Sequence, residues 1–247
     1  MMIDGHGLSF RELNEKIREA AQTHSEILLK NINGHRYIGC GISKSIRIVL
    51  EGTPGNDLAS FLNGPTIVVE GNAQDCVGNT MNAGKIVIRG NAGDILGHSM
   101  RGGRIYVGGS VGYRCGIHIK SFKEQFPVIV IGGRAGDYLG EYMSGGMIII
   151  LGIQNGYGED DEIAGRYMGT GMHGGNLYLA GDISGFKVSP DIERQEIPPD
   201  EKGFINDILK DYLMEMRITN LCSGELVERL GKYSAVTSRP YGKLYAY

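Results

Sequence analysis

The chain has 247 residues and a net charge of −3, and no long basic run appears in it, so composition argues against nucleic acid or an anionic membrane as a partner. Forty glycines, about twice the usual share of roughly 7%, lack the strict spacing of collagen and indicate turns. The cysteines, Cys40, Cys76, Cys115 and Cys222, form no C-x-x-C pair, which argues against a disulfide framework and a self-contained zinc or iron–sulfur site. With no membrane-length apolar run and no signal-peptide pattern, a cytoplasmic location is expected.

The first predicted element is a helix over residues 9–22. Ser9 is a suitable N-cap, and Glu12 completes a capping box. One apolar face follows helical spacing: Phe10, Leu13, Ile17 and Ala20 or Ala21. We expect this helix to cover an end or side of the following repeat, with docking to a partner as the alternative. Two strands, Ile27–Ile32 and Arg36–Ile42, are predicted to lead into that repeat.

A repeat of 19 residues occupies the middle of the chain. Residues 71–78 (GNAQDCVG) are followed by residues 90–97 (GNAGDILG), and a fixed period near 20 residues is the sequence signature of a solenoid. Two apolar columns lie on predicted strands: Ile48, Ile67, Ile86, Ile105, Ile129, Ile148 and Leu177, then Leu50, Val69, Ile88, Val107, Ile131, Ile150 and Leu179. Two more lie between strands: Leu58, Val77, Leu96, Cys115, Leu139 and Met168, then Leu62, Met81, Met100, Ile119, Met143 and Met172.

These four columns predict an all-β fold, a single-stranded parallel β-helix of about seven coils with a filled core. Glycines at a fixed place in the repeat are expected to have positive φ or to allow close backbone approach: Gly78, Gly97, Gly116, Gly140 and Gly169. A left-handed β-helix would show an aliphatic residue every six positions. Steps of six from Ile67 and Ile86 reach Asn79 and His98, so the right-handed form is favoured.

Two insertions interrupt the period. The first, Ser121–Gln125, is short. The second lies within Ile153–Arg166 and carries Glu159–Glu162 (EDDE), an acidic run whose spacing matches no EF-hand loop, so a solvated loop is preferred to a calcium site. Because insertions in solenoids often project from one binding face, the second insertion is the first choice for a contact surface.

After Gly181 the repeat ends and a different composition begins. Residues Phe186–Pro199 are predicted to be an extended linker. A helix is predicted over residues 200–217, with an apolar face of Phe204, Ile208, Leu209, Tyr212, Leu213 and Met216. A second short helix is expected after Ser223 as N-cap, with Glu225 in its first turn. The tyrosine-rich tail, with Tyr233, Tyr241, Tyr245 and Tyr247, either packs back on the solenoid or docks another chain.

The residues capable of chemistry form no recognisable active site. Asp75, Asp94 and Asp137 occupy one column, interrupted by Asn56 and Tyr113. Stacked carboxylates would suit acid–base catalysis or calcium binding, but aspartate beside glycine is also a common turn residue, and the turn interpretation is preferred. The histidines are scattered: His6, His24, His35, His98, His118 and His173. Since neither a Walker loop, a single dinucleotide-binding unit nor a nucleophile elbow is present, we expect no catalytic, cofactor-binding or metal-binding residue.

The repeated unit, Gly-Asn-Ala-X-Asp-X-X-Gly-X-X-Met-X-X-Gly, resembles the C-terminal Gly-X-Gly-X-Gly domain of the glutamate synthase large subunit. Residues 111–118 (VGYRCGIH), 169–175 (GTGMHGG) and 31–39 (NINGHRYIG) carry the same resemblance, which covers about residues 9–185 and leaves the tail from Phe186 unexplained. The resemblance implies a right-handed β-helix that has no catalytic residues. In that family, this β-helix supports the glutaminase domain and the FMN/iron–sulfur synthase domain. A similar repeat occurs in one of the subunits of formylmethanofuran dehydrogenase.

The resemblance implies a noncatalytic scaffold subunit of a split glutamate synthase. Its partners would be a glutaminase subunit and a synthase subunit, and FMN and the iron–sulfur cluster would be on the partner side, with the FMN/iron–sulfur synthase. Self-association is compatible with this reading. Two alternatives stay open: the repeat-bearing subunit of formylmethanofuran dehydrogenase, and a β-helical hydrolase, esterase or lyase that uses the aspartate column. The expected division is an N-terminal helix with lead-in strands (1–45), the β-helix (46–185), and a linker with a helical, tyrosine-rich extension (186–247).

Overall fold

The computed structural model describes residues 1–153, 162–181, 183–184 and 187–236. The described elements, in chain order, are β1 (Met2–Asp4), α1 (Phe10–Thr23), β2 (Glu26–Asn33), β3 (Arg47–Thr53), β4 (Asn63–Val69), β5 (Ala83–Ile88), β6 (Arg104–Val107), β7 (Val128–Ile131), β8 (Ser144–Ile150), β9 (Gly174–Leu179), β10 (Ile192–Gln195), α2 (Pro199–Met216), α3 (Ser223–Glu228) and β11 (Gly231–Ala235). The strands form one sheet in the order β1 to β9, then β11 and β10.

Strands β1 to β9 pair in parallel, each with the next along the chain. Ile48 pairs with Ile67 and Ile67 with Ile86, and the register continues to Ile148 and Leu177. This register confirms both predicted strand columns. The fold is mostly sheet, a parallel β-solenoid of about six turns, where the sequence predicted about seven coils.

The interior of the solenoid is filled by the four predicted columns. The two columns between strands are buried throughout, from Leu58 at 0% exposure to Met172 at 3%. At the glycine position between them, φ is 68° at Gly78 and 67–74° in the four later coils. A Cβ on Gly78 would lie 2.5 Å from Cδ1 of Ile105 in the core. This position therefore combines a left-handed backbone with close packing, which explains the choice of glycine.

Helix α1 covers the N-terminal part of this core. Ser9 caps it, and Ser9 with Glu12 forms the predicted capping box. Leu13 and Ile17 are fully buried in the same cluster as the strand columns. Phe10 was wrongly assigned to the buried face: its side chain is 37% exposed and contacts the ring of Tyr37, with the centroids 6.0 Å apart. Strand β1, which precedes the helix, was not predicted.

Residues Arg36–Ile42 form a turn, and the strand predicted there is wrong. Gly39 and Gly41 have φ of 73° and 69°, which an extended strand does not accommodate. Ile38 and Ile42 point into the core, and their carbonyl oxygens accept hydrogen bonds from the turn of the next coil, at Ala59 and at residue 63. The segment is therefore the first copy of the turn that recurs in every coil.

The C-terminal part folds back onto the solenoid. Strand β11 pairs antiparallel with β9 and with β10, so the segment predicted as an extended linker contains a strand, β10. Helix α2 buries Ile205, Ile208, Leu209, Tyr212 and Leu213. Phe204 was wrongly placed on that face, being 45% exposed. The N-cap of α3 is Cys222, so Ser223 is its first helical residue rather than its cap.

Helices α2 and α3 cover the outer face of the parallel sheet and create a second core. The outer residues of successive strands are buried against them: Val68, Val87, Tyr106, Val130, Ile149 and Tyr178. The Tyr106 and Tyr212 rings meet edge to face at 5.6 Å, and the Tyr212 hydroxyl donates to the carbonyl oxygen of Val107 at 3.2 Å. The outer face of the sheet is therefore occupied by the chain itself. No helix in the described ranges has both the length and the hydropathy of a membrane span.

Candidate functional site

The aspartate column joins successive coils through backbone hydrogen bonds. Asp75 Oδ1 accepts the backbone N–H of Asp94 at 2.9 Å, and Asp94 Oδ1 accepts that of Tyr113 at 2.8 Å. Asp137 Oδ1 accepts the backbone N–H of Arg166 at 2.8 Å. Each carboxylate therefore satisfies a backbone donor of the next coil, which is the role of a turn residue rather than of an acid–base pair.

Glycines in the next coil make room for these carboxylates. A Cβ on Gly93 would lie 2.0 Å from Oδ1 of Asp75, and a Cβ on Gly112 would lie 1.9 Å from Oδ1 of Asp94. Both distances are far below van der Waals contact. The aspartate and the glycine of the next coil therefore act as a pair, which accounts for glycine at the variable position just before Asp94 and Tyr113.

A second polar column has the same role and was not singled out from the sequence. Asn72 Oδ1 accepts the backbone N–H of Asn91 at 2.8 Å, and Asn91 Oδ1 accepts that of Ser110 at 2.7 Å. Ser110 Oγ accepts the backbone N–H of Arg134 at 3.0 Å. The recurrence of Gly-Asn-Ala in the motif could have revealed this column. An asparagine amide oxygen in this position accepts a hydrogen bond as a carboxylate oxygen does.

Two of the six histidines considered from the sequence, His98 and His118, lie close together in the structure. The rings of His98 and His118 lie 6.1 Å apart, and His118 is stacked on Tyr142 at 5.2 Å. His98 Nδ1 lies 3.2 Å from Oδ1 of Asn79. Burial and the nearby His118 lower the pKa of His98. His35, in contrast, fixes the N-terminal segment through Nε2, 3.0 Å from the carbonyl oxygen of Leu8.

An exposed group of rings and cations lies on the turn side of the later coils. We call it the aromatic patch and define it by Arg114, His118, Tyr138, Tyr142 and Tyr167. The Tyr138 and Tyr167 rings are stacked at 4.9 Å, and the Arg114 guanidinium lies 4.5 Å from the centroid of Tyr138. Arg114 Nε also donates to Oε2 of Glu141 at 2.9 Å. Tyr142 and Tyr167 are 44% and 51% exposed, so two ordered stacks of side chains face solvent.

The insertions and the tail are described only in part. In Ser121–Gln125 the backbone N–H groups of Phe122 and Gln125 donate to each other's carbonyl oxygens, which closes a small hairpin. Residues 154–161, including Glu159–Asp161, lie outside the described residues, as do Tyr241, Tyr245 and Tyr247 in the tail. Glu162 pairs with Lys187. Tyr233 in β11 is 6% exposed and packs in the main core.

The described residues offer no ready ligand set for a metal or an iron–sulfur cluster. Within those ranges, no three His, Cys, Asp or Glu side chains gather into a group that could hold a metal ion. Cys115 is fully buried in the core, and burial raises the pKa of its thiol to about 12. Burial also raises the pKa of Cys40 and Cys76. A thiol with a raised pKa is a poor nucleophile and a poor metal ligand at neutral pH.

Two comparisons with known proteins agree with the repeat. The profile of the GXGXG motif family matches residues 9–221. The match extends beyond the repeat through α2, into the segment from Phe186 that the sequence resemblance left unexplained. An uncharacterized protein of Methanocaldococcus jannaschii is 42% identical over 250 residues, which cover 99% of this chain and 96% of that protein. The chain therefore belongs to the GXGXG motif family and carries a domain like the C-terminal GXGXG domain of glutamate synthase.

Proposed function

We propose that this chain is a noncatalytic scaffold subunit of a split glutamate synthase, which forms glutamate from glutamine and 2-oxoglutarate. Glutaminase and FMN-binding synthase subunits would be its partners, and the FMN and the iron–sulfur cluster would reside on them. In this proposal the solenoid is right-handed, and α1 and the C-terminal helices cap and brace it. The cytoplasm is the proposed location.

One observation carries the proposal: the polar residues of the repeated motif are used to build the solenoid. Asp75, Asp94 and Asp137 each hold a backbone N–H of the next coil, and glycines make room for the first two at Gly93 and Gly112. Residues with these structural tasks are poorly suited to acid–base chemistry, because a catalytic carboxylate must be free to exchange protons with a substrate. Membership of the GXGXG family supports a part in a multi-domain enzyme.

Two alternatives differ in what they predict for partners and activity. As the repeat-bearing subunit of formylmethanofuran dehydrogenase, the chain would associate with molybdenum or tungsten and ferredoxin-like subunits. As a β-helical hydrolase, esterase or lyase, it would turn over substrate by itself, and Asp94→Asn would abolish that activity at unchanged stability. The inter-coil hydrogen bond of Asp94 argues for the scaffold over the enzyme.

Co-purification with the candidate subunits tests the proposal. The tagged chain is expected to recover glutaminase and FMN-binding synthase subunits, and glutamine-dependent glutamate synthesis should require all three. Flavin absorbance should appear only with the synthase subunit. Recovery of molybdenum- or tungsten-containing subunits would favour the second assignment. Failure of the purified chain to associate with any of these subunits would refute the scaffold function.

A further inference from the structure

The aromatic patch has the composition and exposure of a protein-binding surface. Tyrosine and arginine are enriched at the residues that dominate binding energy, because their side chains present large, rigid areas with polar tips. In the patch, Tyr142 and Tyr167 are 44% and 51% exposed, and neighbouring Tyr113 is 54% exposed. Stacking of Tyr138 on Tyr167 and of His118 on Tyr142 holds the rings in place before any partner arrives. A pre-ordered surface loses less entropy when it binds.

The fold does not require aromatic side chains at these positions. Arg114, Tyr138 and Tyr167 occupy the same place in the repeat as Cys76 and Ile95, and all of them have φ between 56° and 63°. His118 and Tyr142 occupy the place of Thr80 and Ser99, with φ between 53° and 57°. The same turn therefore forms without aromatic rings at Cys76, Thr80, Ile95 and Ser99, although the first coils also carry rings at these two places, Tyr37 and Phe61. The aromatic residues of the later coils add an exposed surface that the turn itself does not need.

The outer face of the parallel sheet is already covered by the chain itself. Helix α2 crosses the outer face of the sheet, from Tyr178 in β9, which bonds to Glu201, to Glu70 after β4, which pairs with Arg217. The apolar outer residues of β4 to β9, from Val68 to Tyr178, are buried beneath α2 and α3. The outer face of the sheet is therefore already occupied, whereas Tyr142 and Tyr167 on the turn side remain exposed.

The charged side chains of the patch are mostly positive where they are accessible. The Arg114 side chain remains 42% exposed to solvent, whereas that of its partner Glu141 is only 9% exposed. Lys120 and Arg166, which are near His118 and Tyr167 in the chain, are both exposed. The nearby half-buried carboxylate of Asp137 accepts the backbone N–H of Arg166. A complementary surface would place carboxylates against these cations and apolar side chains against the tyrosine rings.

We propose that the aromatic patch is the docking surface for an acidic, partly apolar surface of a partner subunit. The proposal rests on the scaffold function and adds to it the place and chemistry of the contact. It requires the patch to contribute most of the affinity, and it requires the cations to make association sensitive to salt.

The test compares substitutions taken from the repeat itself. The double variant Tyr138→Ile/Tyr142→Thr inserts residues that occupy the same turn positions in earlier coils, so the fold should tolerate it. Phe61→Thr is the matched control, because Phe61 is 53% exposed in the same column as Tyr142 but lies outside the patch. Thermal unfolding of both variants checks that the fold is retained. Complexes are purified from the native cells through the tagged chain, their subunits are identified by mass spectrometry, and Kd is measured with the purified partner.

The double variant is expected to raise Kd about 30-fold or more, as loss of a binding hot spot does, and Phe61→Thr less than about twofold. Arg166→Glu should weaken binding at low salt and reduce its salt dependence. An unchanged Kd for glutamate synthase subunits would overturn the docking proposal while the scaffold function stands. A complex with other proteins that needs the patch would reject the glutamate synthase assignment and retain the docking surface. Absence of any protein partner, binding of nucleic acid, or self-association alone through the patch would overturn the docking proposal.

Discussion

Removal of the Asp94 carboxylate tests whether the aspartate column holds the coils together. In Asp94→Ala the backbone N–H of Tyr113 loses an acceptor at 2.8 Å. Hydrogen bonds to charged groups contribute about 1.5–3 kcal/mol, and this one is solvent-exposed, so we expect a loss near the lower limit, about 1.5 kcal/mol. For a chain of this length, such a loss lowers Tm by about 3–6 °C.

Comparing Asp94→Asn with Asp94→Ala separates the hydrogen-bonding role of Asp94 from its negative charge. Asp94→Asn keeps the Oδ1 acceptor, as Asn72 and Asn91 do in the neighbouring column, and should change the unfolding free energy by less than about 0.5 kcal/mol. Glu51→Ala is the control, because Glu51 is half exposed and forms only a 3.7 Å surface pair with Lys30. Urea and thermal unfolding followed by circular dichroism measure all three. Wild-type stability in Asp94→Ala, or equal damage in Asp94→Asn and Asp94→Ala, would refute the inter-coil role.

Three further predictions concern Gly112, the ion cluster around Asp211 and the buried thiol of Cys115. Gly112→Ala should lower the unfolding free energy by about 1–3 kcal/mol, because the added Cβ would overlap Asp94 Oδ1. This loss should be smaller when Asp94 is already replaced by alanine. Equal losses in both backgrounds would contradict the steric pairing. Burial alone would raise the pKa of Asp211, but hydrogen bonds from Lys85, Tyr106 and Arg104 outweigh it and lower that pKa below 3.8. The stability that this carboxylate contributes is therefore present above about pH 4 and lost as the pH falls further. Asp211→Asn should weaken this acid sensitivity in urea titrations, and an unchanged pH dependence would argue against the ion cluster. Cys115, with its raised thiol pKa, should resist iodoacetamide at pH 8 until the protein unfolds; rapid labelling in the native state would show that the core opens.

The solenoid was predictable because each coil places equivalent residues in equivalent surroundings. A 19-residue offset, lengthened at the two insertions, therefore carries the four core columns from Ile48 to Leu177 without reference to any other contact. The first coil escaped prediction because its spacing differs: Ile27 pairs with Ile48, 21 positions away, so Arg36–Ile42 was not aligned with the later turns.

The sequence also contained a pattern that predicts the second core, the one between the sheet and α2, but that pattern was not used. Val68, Val87 and Tyr106 lie between the two predicted strand columns and are also apolar, a pattern typical of a sheet covered on both faces. Phe204 was misplaced because it is adjacent to Ile205, and helical spacing alone does not decide which of two neighbours begins a face. The aromatic patch was beyond sequence reasoning, since positive φ at Arg114 or Tyr138 depends on the stacking of coils and not on local propensity.

The crossing of α2 over the sheet has a consequence for how the molecule comes apart. A repeat array normally unravels from its ends, one unit at a time, because each repeat contacts only its neighbours. Here α2 and α3 together cover six consecutive strands, β4 to β9, and α2 is anchored at Glu70 and at Tyr178. Pulling the chain from its ends should therefore give one large rupture when α2 detaches, followed by small steps from single coils. Deletion of residues 199–236 should remove the first event and leave only the steps.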